Sequence, residues 1–190
     1  QSRPVLSRAA IALNLQNRPF DYEKNYCSGL KKLLIEYYVK KAEKKINELT
    51  PEEQKVKLLE IAIENLKTRL SVSLIPTTDI FIINVKAFTP EEAIETANVI
   101  SRSYTIFDQL QQLAEISLRY GDSHPTVVQL KDNIKYSTEH LSGKMLSDIE
   151  AIGTASVKII EQASSTGIPI GRPKKIILAI ALFVAIFMGV

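Results

Sequence analysis

Residues 70–100, LSVSLIPTTDIFIINVKAFTPEEAIETANVI, predict two strands followed by a helix, and this order decides the fold class. Residues 70–75 alternate apolar and polar side chains, as a half-buried strand does, and Pro76 ends that strand. Residues 80–85 are apolar on both faces, which favours a central strand covered by helices on at least one side. With helices before and after them, these strands predict an α+β fold with a small mixed sheet.

The segment TPEE at residues 89–92 is a helix start, in which threonine is the cap, proline takes the first position and an acid follows three residues after the cap. The helix runs without a breaker over residues 90–119, roughly 30 residues and so roughly 45 Å. GDSHP at 121–125 interrupts the pattern, and apolar periodicity resumes over 126–152. Because this exceeds what a compact domain needs, we predict a long helical hairpin extension.

Three helices are predicted before the first strand. Residues 3–15 form a short amphipathic helix that we expect to pack on the sheet, and Pro19 lies beyond its end. Residues 29–49 form a Lys-rich helix whose charges look like a solvated face and whose inward residues are Leu30, Leu33, Leu34, Tyr37, Ile46 and Leu49. TPEE occurs again at residues 50–53 and opens a third helix. Its predicted buried stripe is Val56, Leu59, Ile63, Leu66 and Leu70.

The C-terminal part of the chain predicts a return to the sheet followed by a membrane segment. Residues 154–163 have an extended-type pattern, so we expect a last strand there. Residues 164–175 form a Pro/Gly-rich linker, and residues 176–190, IILAIALFVAIFMGV, are wholly apolar. A spanning helix needs roughly 20 apolar residues, so we interpret this run as a truncated C-terminal transmembrane helix. Its predicted membrane-anchor residues are Ile176, Ile177, Leu178, Leu182, Phe183 and Phe187.

Composition sets limits on the kind of site that the chain carries. The net charge is +3, with 24 basic and 21 acidic residues interspersed, so no clustered basic stripe predicts nucleic-acid binding. Cys27 is the sole cysteine and cannot form an internal disulfide. Cys27, His124 and His140 lack ligand-like spacing, and we predict neither a metal site nor a cofactor.

Each candidate catalytic feature has a stronger structural interpretation. Residues 167–175, GIPIGRPKK, lack the Gly-Lys-Ser/Thr of a phosphate loop. His124 is a candidate general base, but a histidine in an interhelical turn is more often a cap or a surface group. The acids that remain are first-turn residues of helices, apart from a lone acid before the second strand: Glu52, Glu53, Glu91, Glu92 and Asp79.

One pair of aromatic residues suggests binding rather than catalysis. Tyr37 and Tyr38 lie beside Lys40 and Lys41 and are candidates for contact with lipid headgroups or sugars, although an aromatic residue on a helix is usually core. Because the candidate catalytic features all favour structural interpretations, we predict a non-enzymatic protein.

Four segments, in order, match motifs of one family. They are residues 1–6 with the short helix to Leu15; residues 70–85 with the "Pro-x-x-Ala…Ala-Asn" start at 90–98; "Tyr-Gly-x-x-His-Pro…Leu" at 120–130; and residues 157–163 with Pro169, Pro173, Lys174 and Lys175 before the apolar run. In this order the chain resembles the polysaccharide co-polymerases, the Wzz-type chain-length determinants and the related exopolysaccharide export proteins.

The resemblance implies a bacterial inner-membrane protein whose residues 1–163 form an extracytoplasmic (periplasmic) α/β base with a helical extension. It implies a ring-like homo-oligomer that controls chain length or export of a surface polysaccharide. The implied partners are a polysaccharide polymerase or export machinery, the lipid bilayer and the polysaccharide itself. On this interpretation Ile100, Tyr104 and Phe107 are the candidate oligomer contacts.

Two alternatives remain open at the level of sequence. One is the extracytoplasmic part of a membrane tyrosine kinase that regulates exopolysaccharide synthesis, and the other is a membrane-anchored adaptor of a secretion pump. Walker-type motifs and a tyrosine cluster beyond Val190 would favour the first. A lipoyl-like β domain would favour the second, and we see no such pattern.

Overall fold

The computed structural model describes residues 2–27, 29–141 and 159–167. Within these ranges the α-helices are α1 (Arg3–Ala12), α2 (Leu30–Asn47), α3 (Pro51–Arg69), α4 (Pro90–Tyr120) and α5 (Pro125–Glu139), and the strands are β1 (Leu70–Leu74) and β2 (Phe81–Val85). Short 3-10 helices at Leu15–Asn17 and Tyr22–Tyr26 connect α1 to α2. The predicted combination of helices with a small sheet is confirmed.

The sheet is an antiparallel hairpin in which Leu70 is opposite Val85 and Leu74 is opposite Phe81. Leu70 is buried, whereas Leu74 and Phe81 are more than half exposed, so the base of the hairpin joins the core and its tip extends past it. Strand β2 is not the central strand that was predicted, but helices do cover one of its faces, since Ile83 and Val85 pack against buried residues of α1, α3 and α4. In the described residues β2 pairs with β1 alone, and Ile82 on its other face is 44% exposed.

The predicted return of the chain to the sheet at residues 154–163 is also wrong for the residues of that segment that the structure describes. Residues 159–163 form no strand, and residues 154–158 lie outside the described ranges. The backbone N–H of Ala163 donates to Oδ1 of Asn98, a buried residue of α4, at 2.9 Å. This segment therefore contacts a helix, and the sheet of the described residues is antiparallel rather than mixed.

The core forms where α1 packs against α3 and α4, not against the sheet as predicted. Ala9 and Ala10 are fully buried, and such small side chains let helices approach closely. The main buried cluster consists of Leu6, Ala9, Ala10, Ala62, Ile63, Leu66, Leu70, Val99 and Ile100.

The helix starts agree with the sequence, but two of the predicted buried faces do not. On α3 the stripe is buried at Ile63 and Leu66, yet Val56, near the start of the helix, is 62% exposed because the core lies against the other end. On α2 three of the residues expected to face inward, Leu33, Leu34 and Tyr37, are exposed, whereas Ile46 is buried as predicted. A different arc faces inward on α2: Ile35, Val39, Ala42 and Ile46.

The predicted helical hairpin is present, with α4 packed on α5 through a second cluster of Ile106, Leu130 and Ile134. The second helix ends at Glu139 rather than at 152. There the ring Nδ1 of His140 lies 2.9 Å from the carbonyl oxygen of Tyr136, and the His140 N–H bonds the same carbonyl, which closes the last turn.

Within the described ranges, no helix is both long enough and apolar enough to cross a bilayer. The predicted membrane-anchor residues, Ile176, Ile177, Leu178, Leu182, Phe183 and Phe187, lie outside those ranges, as does most of the predicted linker.

We predict that Leu66→Ala lowers the free energy of unfolding by about 2–5 kcal/mol, because it leaves a cavity in the α1–α3–α4 core. Val56→Ala, on the exposed part of the same helix, should change it by less than about 0.5 kcal/mol. Urea denaturation followed by circular dichroism measures both. Equal losses in the two variants would contradict the assigned core.

Candidate functional site

The two TPEE motifs use their last glutamate differently. On α3, Glu53 and Thr50 form a reciprocal capping box: the Thr50 N–H donates to Glu53 Oε2 at 3.0 Å, and the Glu53 N–H donates to Thr50 Oγ1 at 3.4 Å. The hydrogen bonds from Thr50 lower the pKa of Glu53. On α4 the Glu92 N–H bonds Thr89 Oγ1, but the Glu92 carboxylate accepts from the Phe88 N–H at 3.3 Å. Glu92 thereby points towards neighbouring segments.

Glu92 is the centre of a group that we name the ionic hub, formed by Arg18, Glu23, Arg69 and Glu92. Arg18 Nη1 lies 2.5 Å and Arg69 Nη1 lies 3.8 Å from Glu92 Oε1, and Arg69 Nη2 lies 2.9 Å from Glu23 Oε1. The Glu92 side chain is only 13% exposed. A carboxylate so far removed from water needs compensating charge, and two guanidiniums supply it.

The local backbone brings these groups together from three parts of the chain. After α1, Asn14 adopts φ +53, a left-handed conformation that asparagine tolerates, and its Oδ1 accepts from Asn17 Nδ2 at 2.6 Å. The chain then turns back and places Arg18 beside the start of α4. Arg69 is the last residue of α3 and Glu92 lies in the first turn of α4, so the ionic hub joins the segment after α1 to both α3 and α4.

An aromatic cluster covers the ionic hub. The rings of Tyr26 and Phe88 are stacked with centroids 4.9 Å apart, and Tyr22 meets Phe88 edge-on at 5.7 Å. The guanidinium carbon of Arg18 lies 4.2 Å from the Tyr22 ring centroid, and that of Arg69 lies 4.6 Å from the Phe88 centroid. These cation–π contacts hold each guanidinium between an aromatic face and a carboxylate.

The surroundings of Tyr22 in this site displace its pKa. Its hydroxyl lies 3.3 Å from the Tyr26 hydroxyl and donates to Glu92 Oε2 at 3.3 Å. The hydrogen bond with Tyr26, burial and the Glu92 charge together raise the pKa of Tyr22 to about 12. The neutral phenol is therefore the stable form in the fold.

A cleft of about 120 Å³ adjoins the ionic hub, with Asn65, Lys86 and Phe20 in its lining. The two guanidiniums and two carboxylates of the ionic hub also line the cleft and are paired with one another, so Lys86 supplies the one excess positive charge of the lining. In the described ranges, no three His, Cys, Asp or Glu side chains come close enough to hold a metal ion. The arrangement fits a clamp between chain segments better than a ligand site.

The predicted oligomer contacts differ in accessibility. Ile100 is 3% exposed within the α1–α3–α4 core, so its side chain is not available to another subunit. Tyr104 is 39% exposed and Phe107 is half-buried. Leu118, which no sequence motif singled out, lies further along the same helix and is 91% exposed. We name Tyr104, Phe107 and Leu118 the distal α4 face.

The other candidates occupy ordinary structural positions. His124 caps α5, since its Nδ1 accepts from the Thr126 N–H at 3.3 Å. This agrees with its interpretation as a helix cap. Asp79 is exposed in the hairpin turn, and Cys27 is a half-buried free thiol. Tyr37 and Tyr38 are 64% and 65% exposed, so their interpretation as core residues is wrong.

No protein-family model matches this chain, and neither curated proteins nor solved structures gave a significant match. Its function must therefore be argued from its own residues.

We predict that Glu92→Gln lowers the free energy of unfolding by about 1–3 kcal/mol, because two guanidiniums then face a neutral amide in a shielded site. Glu53→Gln is the matched control, since it makes the same change at the same place in the same motif, but in water. Its effect on urea unfolding should be clearly smaller. Equal effects would show that Glu92 acts only as a helix cap.

We predict that Tyr22 ionises with a midpoint near pH 12, and that Tyr26→Phe lowers this midpoint towards the ordinary value of about 10 because it removes the largest cause of the shift. A folded-state pKa raised above the unfolded value stabilises the fold fully below about pH 10, and this contribution is lost as the pH rises through about 12. Tyrosinate absorbance, with Tyr22→Phe to assign the transition, measures the midpoint. An unchanged midpoint in Tyr26→Phe would contradict the assigned cause.

Proposed function

We propose that this protein is a non-enzymatic inner-membrane polysaccharide co-polymerase. In this role it controls chain length or export of a bacterial surface polysaccharide through a ring-like homo-oligomer, with its main domain outside the cytoplasm. It acts by positioning surfaces alongside a polymerase or export machinery, and its apolar run at 176–190 anchors it in the bilayer.

The observation that carries this proposal is the distal α4 face. Tyr104, Phe107 and Leu118 lie within about 60° of one another around the helix axis, at roughly 100° per residue. Ile106 and Leu113, which face the α5 cluster, lie on the opposite side of α4. The distal α4 face is therefore not needed for the helical hairpin itself, and its exposed residues, Tyr104 and Leu118 with polar Gln111 between them, leave this side open to contact with another subunit.

That face also continues the stripe on which Ile100 lies. At Ile100 the stripe is covered by α1. This cover does not extend to Leu118, which is exposed. A helix of 31 residues is longer than the α1–α3 layer that seats it, so its far end has room for a neighbouring copy. Repetition of such a contact around a closed ring is a common route to homo-oligomers.

Two of the motifs that resemble those of the polysaccharide co-polymerases lie where segments of the fold are connected. Asn98 ties the segment at 159–167 to α4 through its hydrogen bond with Ala163. Gly121 adopts φ +79 at the turn after α4, a conformation that a side chain would strain, and the Tyr120 ring lies 4.8 Å from that of His124. The motif at 120–125 thus sets the angle of the helical hairpin, which supports a role that depends on the shape of that hairpin.

We predict that Leu118→Asp breaks the oligomer of the detergent-solubilised protein and, in cells that make the polysaccharide, abolishes control of its length. A charge buried at a subunit contact without a partner is strongly unfavourable. Val56→Asp is the matched control, because Val56 is also an exposed apolar helical residue but lies outside the distal α4 face. Light scattering gives the mass, and gel electrophoresis gives the distribution of polysaccharide lengths.

Two results would overturn the proposal. One is a monomeric wild-type protein in detergent. The other is an unchanged polysaccharide distribution in cells that lack the gene altogether. An oligomer that survives Leu118→Asp, together with lost length control on gene deletion, would instead refute only the assignment of the distal α4 face.

A further inference from the structure

We propose that α2 docks on a bilayer surface that contains anionic lipid. The contact is made by the outward α2 face, which consists of Leu33, Leu34, Tyr37 and Tyr38 followed along the same side of the helix by Lys40, Lys41, Lys44 and Lys45. This inference is independent of the proposed role in polysaccharide synthesis.

The first half of the outward α2 face is apolar and open. Leu33, Leu34, Tyr37 and Tyr38 are 64%, 58%, 64% and 65% exposed. The packing of α2 on its own chain uses a separate arc that ends in buried Ile46 and includes Ile35 and Val39. The outward residues therefore add nothing to the core of the chain, and two leucines and two tyrosines remain together in water, which marks an interaction surface.

The second half of the outward α2 face carries the positive charge of the chain. Steps of three or four residues from Leu34 and Tyr37 lead to Lys41 and Lys44, so apolar and cationic residues share one side. The helix contains six lysines and two glutamates, a net charge of +4 against +3 for the whole chain. The remainder of the chain is thus close to neutral.

Both glutamates of α2 lie beyond one edge of this side, next to Lys40. Glu36 is half-buried and pairs with Lys24 at 3.7 Å, and Glu43 lies close to the position of Glu36 around the axis. The lysines of the outward α2 face are all exposed. Glu36 lies one turn before Lys40 and Glu48 one turn after Lys44, but among the described residues none of the four lysines forms an ion pair, so they remain open to negative charge from outside.

This combination fits a bilayer surface better than other anionic partners. Leucines insert below the headgroups, tyrosines favour the interface, and lysines reach lipid phosphates, each at its own depth. A nucleic acid would neutralise the lysines but would leave Leu33 and Leu34 in water. An acidic protein groove or a second copy of α2 would cover the leucines, and quenching by lipid distinguishes the bilayer from both.

The chain contains no tryptophan, so one introduced tryptophan reports on its own position. Tyr37→Trp places it on the outward α2 face, and Tyr136→Trp, at a residue that is 52% exposed on α5, is the matched control. Each full chain is mixed with vesicles of phosphatidylcholine alone or with roughly 30% phosphatidylglycerol, an anionic lipid. Brominated acyl chains act as the quencher in either composition.

In the anionic vesicles we expect the tryptophan emission of the Tyr37→Trp variant to shift to the blue and to be quenched by brominated lipid, while the emission of the Tyr136→Trp control stays unquenched. Because both variants retain residues 176–190, insertion of that run cannot produce the difference. Lys41→Gln and Lys44→Gln each remove one positive charge, and each should reduce the ratio of chains with docked α2 to chains with undocked α2 about fivefold. Added salt should reduce this ratio further.

Three outcomes would overturn the proposal. Emission that is the same in neutral and anionic vesicles would exclude a role for the lysines. A blue shift that grows with protein concentration and is not accompanied by quenching from brominated lipid would show that α2 pairs with a second copy. Equal quenching at positions 37 and 136 would show that the whole domain, not α2, meets the membrane.

Discussion

The close seating of α1 between α3 and α4 is the constraint on which the rest of the structure depends. Ala9 and Ala10 are fully buried there, and Arg8 donates to the backbone carbonyl of Ser103 at 3.3 Å. Larger side chains at the two alanines would push α1 away and overpack the core. Because α4 is one continuous helix, fixing its first half against α1 also fixes the direction of its second half.

The ionic hub completes this arrangement at the N-terminal end of α4. Arg18, from the segment after α1, and Arg69, from the end of α3, both contact Glu92 in the first turn of α4. The same N-terminal part of the chain therefore contacts α4 twice, through apolar packing and through ion pairs. A shift of α4 relative to α3 would break both, which makes the base of the structure a single unit.

Sequence patterns predicted the features that depend on near neighbours. Both TPEE motifs begin helices where expected, because a cap, a proline and an acid act within one turn. Patterns could not predict which apolar face is buried, since α2 has two such arcs and Val56 continues a stripe past the end of the core. The ionic hub gave no signal either, because its members are ordinary charges far apart in sequence, and Glu92 and Glu53 occupy identical motifs.

Part of the apolar surface that folding leaves uncovered is gathered in groups. In the described ranges 19 large apolar side chains are exposed while 16 apolar residues are buried, so the described part of the chain leaves much of its apolar surface uncovered. The exposed residues include three groups: the distal α4 face, the outward α2 face and the tip of the β1–β2 hairpin. A two-stranded hairpin is marginal in water unless something packs on it. Contacts that cover these groups bind the folded chain and not the unfolded one, so assembly and membrane docking would stabilise the fold by mass action.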